Sequence, residues 1–271
     1  PDLHVHLGYL MLPHLTLSNI SFNMHHFLNS WHLNKIQIDD PLIHLSGSAQ
    51  LNLQKPLSWS TQGRITVSNL GQLLKQASVT DHLDRGAGTL DFETRGQGFD
   101  FPSFLRSGVG KYHLKLGSAR WSVDDVELEK KLGLGRLLTA LSLNTLQRKL
   151  SLNFNDWLES GFHFDQMNGD FVLSSGVLST QHLEVFAPTA KLEYRGRALL
   201  NPLEYRGVLS VQPHLTASLP MLTALAISPP AGAVMWLADH FVLSHLPEVE
   251  HFKIRGSWFK PKVVSLKKQP V

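Results

Sequence analysis

The chain has 271 residues, of which 42% are hydrophobic and 17% charged, so it can build a core and is too apolar for a disordered protein. It contains no cysteine, which excludes a disulfide framework, a thiolate metal site and a cysteine nucleophile. The net charge of +3 comes from scattered Lys and Arg residues that do not indicate nucleic acid, whereas the small basic cluster from Lys260 to Lys268 favours anionic lipid.

Alternation of apolar and polar side chains begins at the first residues, where Leu3, Val5 and Leu7 are separated by polar neighbours. Such a period of two predicts strands with one buried and one wet face. The clearest series is Ala190, Leu192, Tyr194, Gly196 and Ala198, interleaved with Lys191, Glu193, Arg195 and Arg197. Further strand-like segments lie at residues 15–22, 36–38, 43–53, 65–67, 89–94, 111–116, 150–154, 162–173, 178–185, 205–211 and 252–258.

Short turn-forming sequences separate or interrupt these segments, at residues 47–48, 84–86, 96–98, 168–170, 174–176 and 201–202. Tight turns join antiparallel strands, whereas parallel strands need a longer crossover. The sequence therefore predicts a mainly β protein, built as one continuous structure from a long, curled, groove-like antiparallel sheet with a few short helices.

Two regions break the strand pattern. In residues 126–148 leucines recur at three- and four-residue spacing, which predicts a helical insert weakened by Gly133 and Gly135. Residues 219–243 are strongly apolar, but Pro229 and Pro230 interrupt them, so they fall short of the roughly 20 residues that a membrane-spanning helix needs. We expect two short helices there, lying at a membrane surface or capping the open end of the sheet.

A series of motifs recurs in a recognisable order along roughly residues 58–262. The sequence GRLLTALSL at 135–143 and LQRKLSLNFND at 146–156 precede GFHFD at 161–165, GDF at 169–171, PTA at 188–190 and IRGSW at 254–258. This order resembles the YhdP-type C-terminal region of the AsmA-like family. Two positions depart from that pattern, Phe92 where the family often has Trp and Phe259 where it more often has Asp. Residues 1–57 match less clearly.

The resemblance implies a long, taco-shaped β-groove with an apolar interior in the envelope of Gram-negative bacteria. By this resemblance, the groove would pass phospholipid between the inner and outer membranes and support the outer-membrane barrier. The chain would be the periplasmic part of an inner-membrane-anchored protein, with an upstream groove segment (1–57) and an AsmA-like C-terminal region (58–271). Because the sequence begins at Pro1 with strand-like residues, we expect the anchor and upstream part to lie outside it.

The expected partners are phospholipid and a bacterial membrane, with this end of the protein on the outer-membrane side, and no nucleic acid. Each CH₂ group of an acyl chain costs about 0.8 kcal/mol when exposed to water, so an apolar trough is sufficient to carry lipid. The alternative function is a non-catalytic envelope scaffold or protein-interaction module that binds along a sheet edge.

The candidate site residues fall into two sets. The same alternation would also produce the closed core of a β-sandwich, so the residues alone leave open trough and closed core as alternatives. Arg136, Arg148 and Lys149 could likewise lie at ordinary solvated helix ends. The lipid-facing or core-facing set is Leu114, Leu116, Ala190, Leu192, Tyr194, Leu209 and Val211, and the headgroup or membrane-contact set is Arg136, Arg148, Lys149, Trp236 and Phe241.

The sequence contains 15 histidines, and His4 and His6 share a strand face as a zinc pair would require. No cysteine, HExxH helix or carboxylate cluster accompanies them, so we expect neither a metal nor a cofactor. A Gly-x-Ser-x-Gly elbow and a complete phosphate loop are also missing from the sequence. The chain is therefore expected to have no catalytic residues and not to be an enzyme.

Overall fold

The computed structural model describes residues 2–98, 100–121, 162–188, 190–213, 249–257 and 260–266. These residues form strands joined by short turns, together with two helices of seven residues each. In chain order the elements are β1 (Asp2–Leu12), β2 (Leu15–Phe27), β3 (Ser30–Asp39), β4 (Ile43–Asn52), β5 (Ser58–Val67), α1 (Leu70–Gln76), β6 (Leu83–Arg85), β7 (Gly88–Gln97), α2 (Phe101–Ser107), β8 (Val109–Leu116), β9 (Ala119–Trp121), β10 (Phe162–Phe164), β11 (Gln166–Ser174), β12 (Val177–Phe186), β13 (Ala190–Leu200), β14 (Leu203–Pro213), β15 (Glu250–Ser257) and β16 (Lys260–Ser265).

Thirteen of the strands form one antiparallel sheet in the order β1-β2-β3-β4-β5-β7-β8-β11-β12-β13-β14-β15-β16. The strands β1 and β16 lie at its two edges, so the sheet is open. At roughly 4.8 Å between neighbouring strands it extends about 58 Å from edge to edge. The predicted fold class, mainly β with one large antiparallel sheet and a few short helices, is confirmed.

A second sheet, β10-β9-β6, packs with α1 against one side of the large sheet. The contact is a buried cluster in which Leu116 and Val185 of the large sheet meet Leu83, Ala119 and Phe164 of the small one. These three strands have only three residues each, and the turn predicted at residues 84–86 overlaps the end of β6. The helix α1 was not predicted, because seven residues are too few to show a helical period.

The helix α2 packs near the opposite end of β7. Its Phe104 ring stacks on Trp59 of β5 with the ring centroids 6.1 Å apart, and Trp59 Nε1 donates to the Gly98 carbonyl at 2.8 Å. Asp100 caps the helix by accepting the Ser103 backbone N–H at 2.6 Å, and this hydrogen bond lowers the pKa of the Asp100 carboxyl. The apolar side of the sheet is thus flanked by packed elements at both ends of β7.

Two β-bulges keep apolar residues on one side of the sheet. The apolar residues of β3 are Trp31, Leu33, Ile36 and Ile38. The pairing register shifts between Leu33 and Ile36, and Lys35 within this step has φ 53°. Because side chains alternate strictly, an extra residue is needed to return Ile36 and Ile38 to the side that carries Leu33. In β12 the register shifts in the same way between residues 180 and 183.

The predicted helical insert at 126–148 and the predicted helices at 219–243 lie outside the residues that the structure describes. The strand predicted at 150–154 also lies outside them. The proposed division at residue 57 falls in the connection between β4 and β5, which pair along their full length as neighbours in the same sheet.

Several glycines of the large sheet lie where a side chain cannot fit. Gly196 of β13 is directly opposite Gly207 of β14, and an added Cβ at Gly196 would lie 2.6 Å from the Arg206 carbonyl oxygen and 2.6 Å from the Gly207 Cα. Strand glycines often mark such a close approach between backbones. By contrast, an added Cβ at Gly8 of β1 would meet no atom within 4 Å.

Gly196→Ala should therefore lower the free energy of unfolding by about 1–3 kcal/mol, because the new methyl group displaces the backbone of β14. Gly8→Ala is the matched control and should change it by less than about 0.5 kcal/mol. Urea unfolding followed by circular dichroism measures both. Equal effects of the two substitutions would contradict the close approach at Gly196.

Candidate functional site: the apolar face of the large sheet

One continuous row of directly paired residues crosses the large sheet from β1 to β15. Each member is paired directly with the next member on the neighbouring strand, so all of them point to the same side, which we call the apolar face. None is charged. The members of this central apolar row are Leu7, Ile20, Ile38, Leu45, Ile65, Leu90, Leu114, Gly169, Leu183, Tyr194, Leu209 and Phe252.

The central apolar row has a covered part and a half-exposed part. Toward β15 it is buried, with Leu209 8% and Phe252 2% exposed. From β3 to β8 its five consecutive members are only half-buried. This half-exposed stretch is about 19 Å long at the usual spacing between strands. An acyl chain, which spans half of a hydrocarbon layer about 30 Å thick, needs about 15 Å.

Aromatic rings cover several glycines on this face. The Tyr194 hydroxyl lies over the Gly196–Gly207 pair, the Phe171 ring over Gly169, and the Phe92 ring over Gly63. The ring fills the space that a missing Cβ leaves, as aromatic side chains do in other sheets. The face is consequently lined by rings and backbone between the aliphatic side chains of the central apolar row, and sequence alternation alone did not indicate this arrangement.

The seven predicted lipid-facing or core-facing residues all lie on the apolar face. Three of them, Leu114, Leu192 and Tyr194, are half-buried. The other four are buried: Leu116 belongs to the cluster beneath the small sheet, and Ala190, Leu209 and Val211 form a second cluster with Phe252 and Ile254. The predicted headgroup or membrane contacts Arg136, Arg148, Lys149, Trp236 and Phe241 lie outside the described residues.

The opposite side of the sheet, which we call the polar face, carries paired charges on its central strands. Arg64 donates two hydrogen bonds to Asp91, at 2.5 and 3.0 Å, and lowers the pKa of that carboxyl. His113 Nδ1 lies 2.6 Å from Asp170 Oδ1 on the next strand. Lys191 Nζ contacts two carboxylates at 2.7 and 2.8 Å, and these raise the pKa of its ammonium group. Opposite charges thus face one another over this region.

Two tyrosines introduce hydroxyl groups into the apolar face. Burial raises the pKa of Tyr194, whose hydroxyl has no hydrogen-bond partner in the described structure. Burial, together with the neighbouring Tyr194, raises the pKa of Tyr205 to about 12. Both shifts have the sign expected when a low-dielectric environment disfavours the phenolate. Both tyrosines pack against the buried cluster that contains Phe252 and Ile254.

Among the residues that the structure describes, no three His, Asp or Glu side chains are grouped so that they could hold a metal ion. The histidines do form local contacts: His25 and His32 stack with ring centroids 5.2 Å apart, and His4 bonds to Asn23 at 2.6 Å. Neither helix in the described ranges has the length and apolarity needed to cross a membrane.

The comparisons with known proteins agree on one family. The family model described as YhdP protein matches residues 1–263, which include the whole central apolar row. The chain is also similar to the intermembrane phospholipid transporter YhdP of Escherichia coli (strain K12), with 27% identity over 138 residues. That match covers 50% of this chain and 11% of the length of the relative. No solved structure matches the chain.

The shift at Tyr205 predicts how stability depends on alkaline pH. Its phenol has a pKa of about 12 in the folded chain against 10.0 ordinarily, so between these values the unfolded state loses a proton that the folded state keeps. The free energy of unfolding should therefore fall as pH rises from about 10 to about 12, and Tyr205→Phe should reduce this fall. Urea unfolding at a series of pH values measures it, with Tyr9→Phe on exposed β1 as the control. Burial of the phenol would be contradicted if the free energy of unfolding of Tyr205→Phe fell as much as that of the wild type between pH 10 and pH 12.

Proposed function

The chain belongs to the YhdP family, and from this membership we propose that it is a lipid-transfer segment whose apolar face carries the acyl chains of phospholipid. The central apolar row is the observation that supports the proposal most. It supplies an uninterrupted apolar path across the sheet, with no charged side chain that an acyl chain would have to pass.

The half-exposed stretch from β3 to β8 is the proposed loading site. A protein that only needed a core would bury these side chains, whereas here consecutive aliphatic residues remain partly accessible on five neighbouring strands. An acyl chain laid along them would remove both its own CH₂ groups and the protein surface from water, at about 0.8 kcal/mol for each CH₂. Transfer along the row requires no bond to be made or broken, so we propose a non-catalytic role.

The predicted site residues take different parts in this proposal. Leu114, Leu192 and Tyr194 are partly accessible and would contact lipid. Leu116, together with the buried trio Ala190, Leu209 and Val211, would support the face from within the two buried clusters. The residues Arg136, Arg148, Lys149, Trp236 and Phe241 remain predicted contacts for headgroups or for a membrane.

The relative in Escherichia coli is named as an intermembrane phospholipid transporter, and this supports placing the present chain in a cell envelope. We propose that it acts in the periplasm as part of a longer, inner-membrane-anchored protein. There it would pass phospholipid toward the outer membrane and so contribute to the outer-membrane barrier.

Introducing carboxylates into the loading site should remove lipid binding. Leu90 and Leu114 are directly paired, so Leu90→Asp with Leu114→Asp places two charges in the middle of the half-exposed stretch. Because an unpaired carboxylate among acyl chains is strongly unfavourable, we expect phospholipid carried by the purified protein to fall at least about tenfold. Native mass spectrometry measures the lipid-bound fraction.

The matched control is Val172→Asp, which puts the same carboxylate on an apolar residue of the polar face, where Val172 is 47% exposed. This variant should carry as much lipid as the wild type. Circular dichroism must show that all variants keep their β-sheet. Unchanged lipid in a folded double variant would refute the loading site. Wild-type protein that is consistently free of lipid would favour the scaffold alternative, in which the exposed edge strand β1 pairs with a protein partner.

A further inference from the structure

The polar face changes character at its β16 end. Arg197, Arg206, Arg255 and Lys262 are directly opposite one another on four consecutive strands, β13 to β16. Opposed residues on antiparallel strands have their Cβ atoms roughly 4.5–5.5 Å apart, and like charges at that distance destabilise a sheet. All four side chains are exposed. A row of four cations is therefore a feature that packing of the sheet does not require.

The adjacent row on the same strands adds two more cations. It consists of Arg195, Val208, Lys253 and Val264, again in direct register. Together the two rows make a patch two residues deep and four strands wide. We call it the basic patch, and its cations are Arg195, Arg197, Arg206, Lys253, Arg255 and Lys262.

Little negative charge balances this patch within the described part of the chain. Arg206 lies 3.3 Å from Glu204, and Arg195 lies 3.9 Å from Glu193, which Lys191 already contacts at 2.8 Å. No ion pair is found in the described residues for the other four cations of the patch. On the central strands of the same face, by contrast, Arg and His residues stand opposite Asp residues.

From this geometry we propose that the basic patch docks on a bilayer that contains anionic phospholipid. The patch lies on the polar face, so it is separate from the proposed loading site. Negative lipid phosphates would supply the counter-charge that the strands lack. The two rows also contain apolar residues, of which Val264 is 47% exposed, and Leu266 just beyond β16 is 44% exposed. Cations next to exposed aliphatic side chains fit the boundary between headgroups and acyl chains better than they fit a nucleic acid.

Vesicle co-flotation of the 271-residue chain tests the proposal. The chain should float with vesicles of phosphatidylethanolamine and phosphatidylglycerol, and not with vesicles of phosphatidylcholine alone. Added salt should weaken this binding because it screens exposed charges. Each cation near an anionic membrane strengthens binding about fivefold. We therefore expect at least about tenfold weaker binding by the variant with Arg197→Gln, Arg206→Gln, Arg255→Gln and Lys262→Gln. Its β-sheet should remain intact, because the substitutions remove like-charge repulsion.

The matched control is Lys75→Gln, Arg95→Gln, Lys111→Gln, Lys115→Gln, which removes the same number of exposed cations elsewhere and leaves the same net charge. It should bind anionic vesicles like the wild type. The proposal would be overturned if the wild type did not float with anionic vesicles, or if both variants lost vesicle binding to the same extent. So would tighter, patch-dependent binding to polyglutamate or single-stranded DNA than to the vesicles. Lipid carried on the apolar face should be unchanged in the patch variant, which separates this site from the loading site.

Discussion

The structure depends on one constraint, the strict alternation of side chains in thirteen strands held in register by backbone hydrogen bonds. A slip of one residue in any strand would move its entire apolar set to the polar face. The central apolar row exists only because every pairing from Leu7 to Phe252 keeps the same parity. The bulges in β3 and β12 belong to the same constraint, since each adds one residue and so keeps the side chains before and after it on the same face.

Stability and accessibility are separated along this face. Two buried clusters, one beneath the small sheet and one around Phe252 and Ile254, supply close packing toward the β16 half of the sheet. The half-exposed stretch from β3 to β8 buries less of each side chain and so contributes less to the free energy of unfolding. Exposed ion pairs such as Arg64 with Asp91 add little to it, because water screens their attraction. Residues that are free to meet a ligand therefore lie beside residues that hold the sheet together.

The alternation of apolar and polar residues was enough to predict the fold class and most strands, including β13, where Ala190 to Ala198 show the pattern without interruption. It was not enough for strands of only three residues such as β6 and β9, or for the seven-residue helices, and it merged β10 and β11 into the single predicted segment 162–173. The bulge in β3 has a signal in the spacing of Leu33 and Ile36, which a fixed period of two overlooks. The basic patch could not be found in this way, because Arg197 and Lys262 are far apart in sequence and meet only through the register of four strands.

The two faces of β15 show how one strand can both pack into a buried cluster and carry part of the basic patch. Phe252 and Ile254 are 2% and 1% exposed, while Lys253 and Arg255 between and beside them point into water. Packing of the two apolar side chains fixes the backbone of β15, and the cations on the other side are fixed with it. The repulsion among Arg206, Arg255 and Lys262 is therefore offset by burial on the opposite face. Because the sheet already holds these charges in place, binding to an anionic surface would cost little free energy for ordering them.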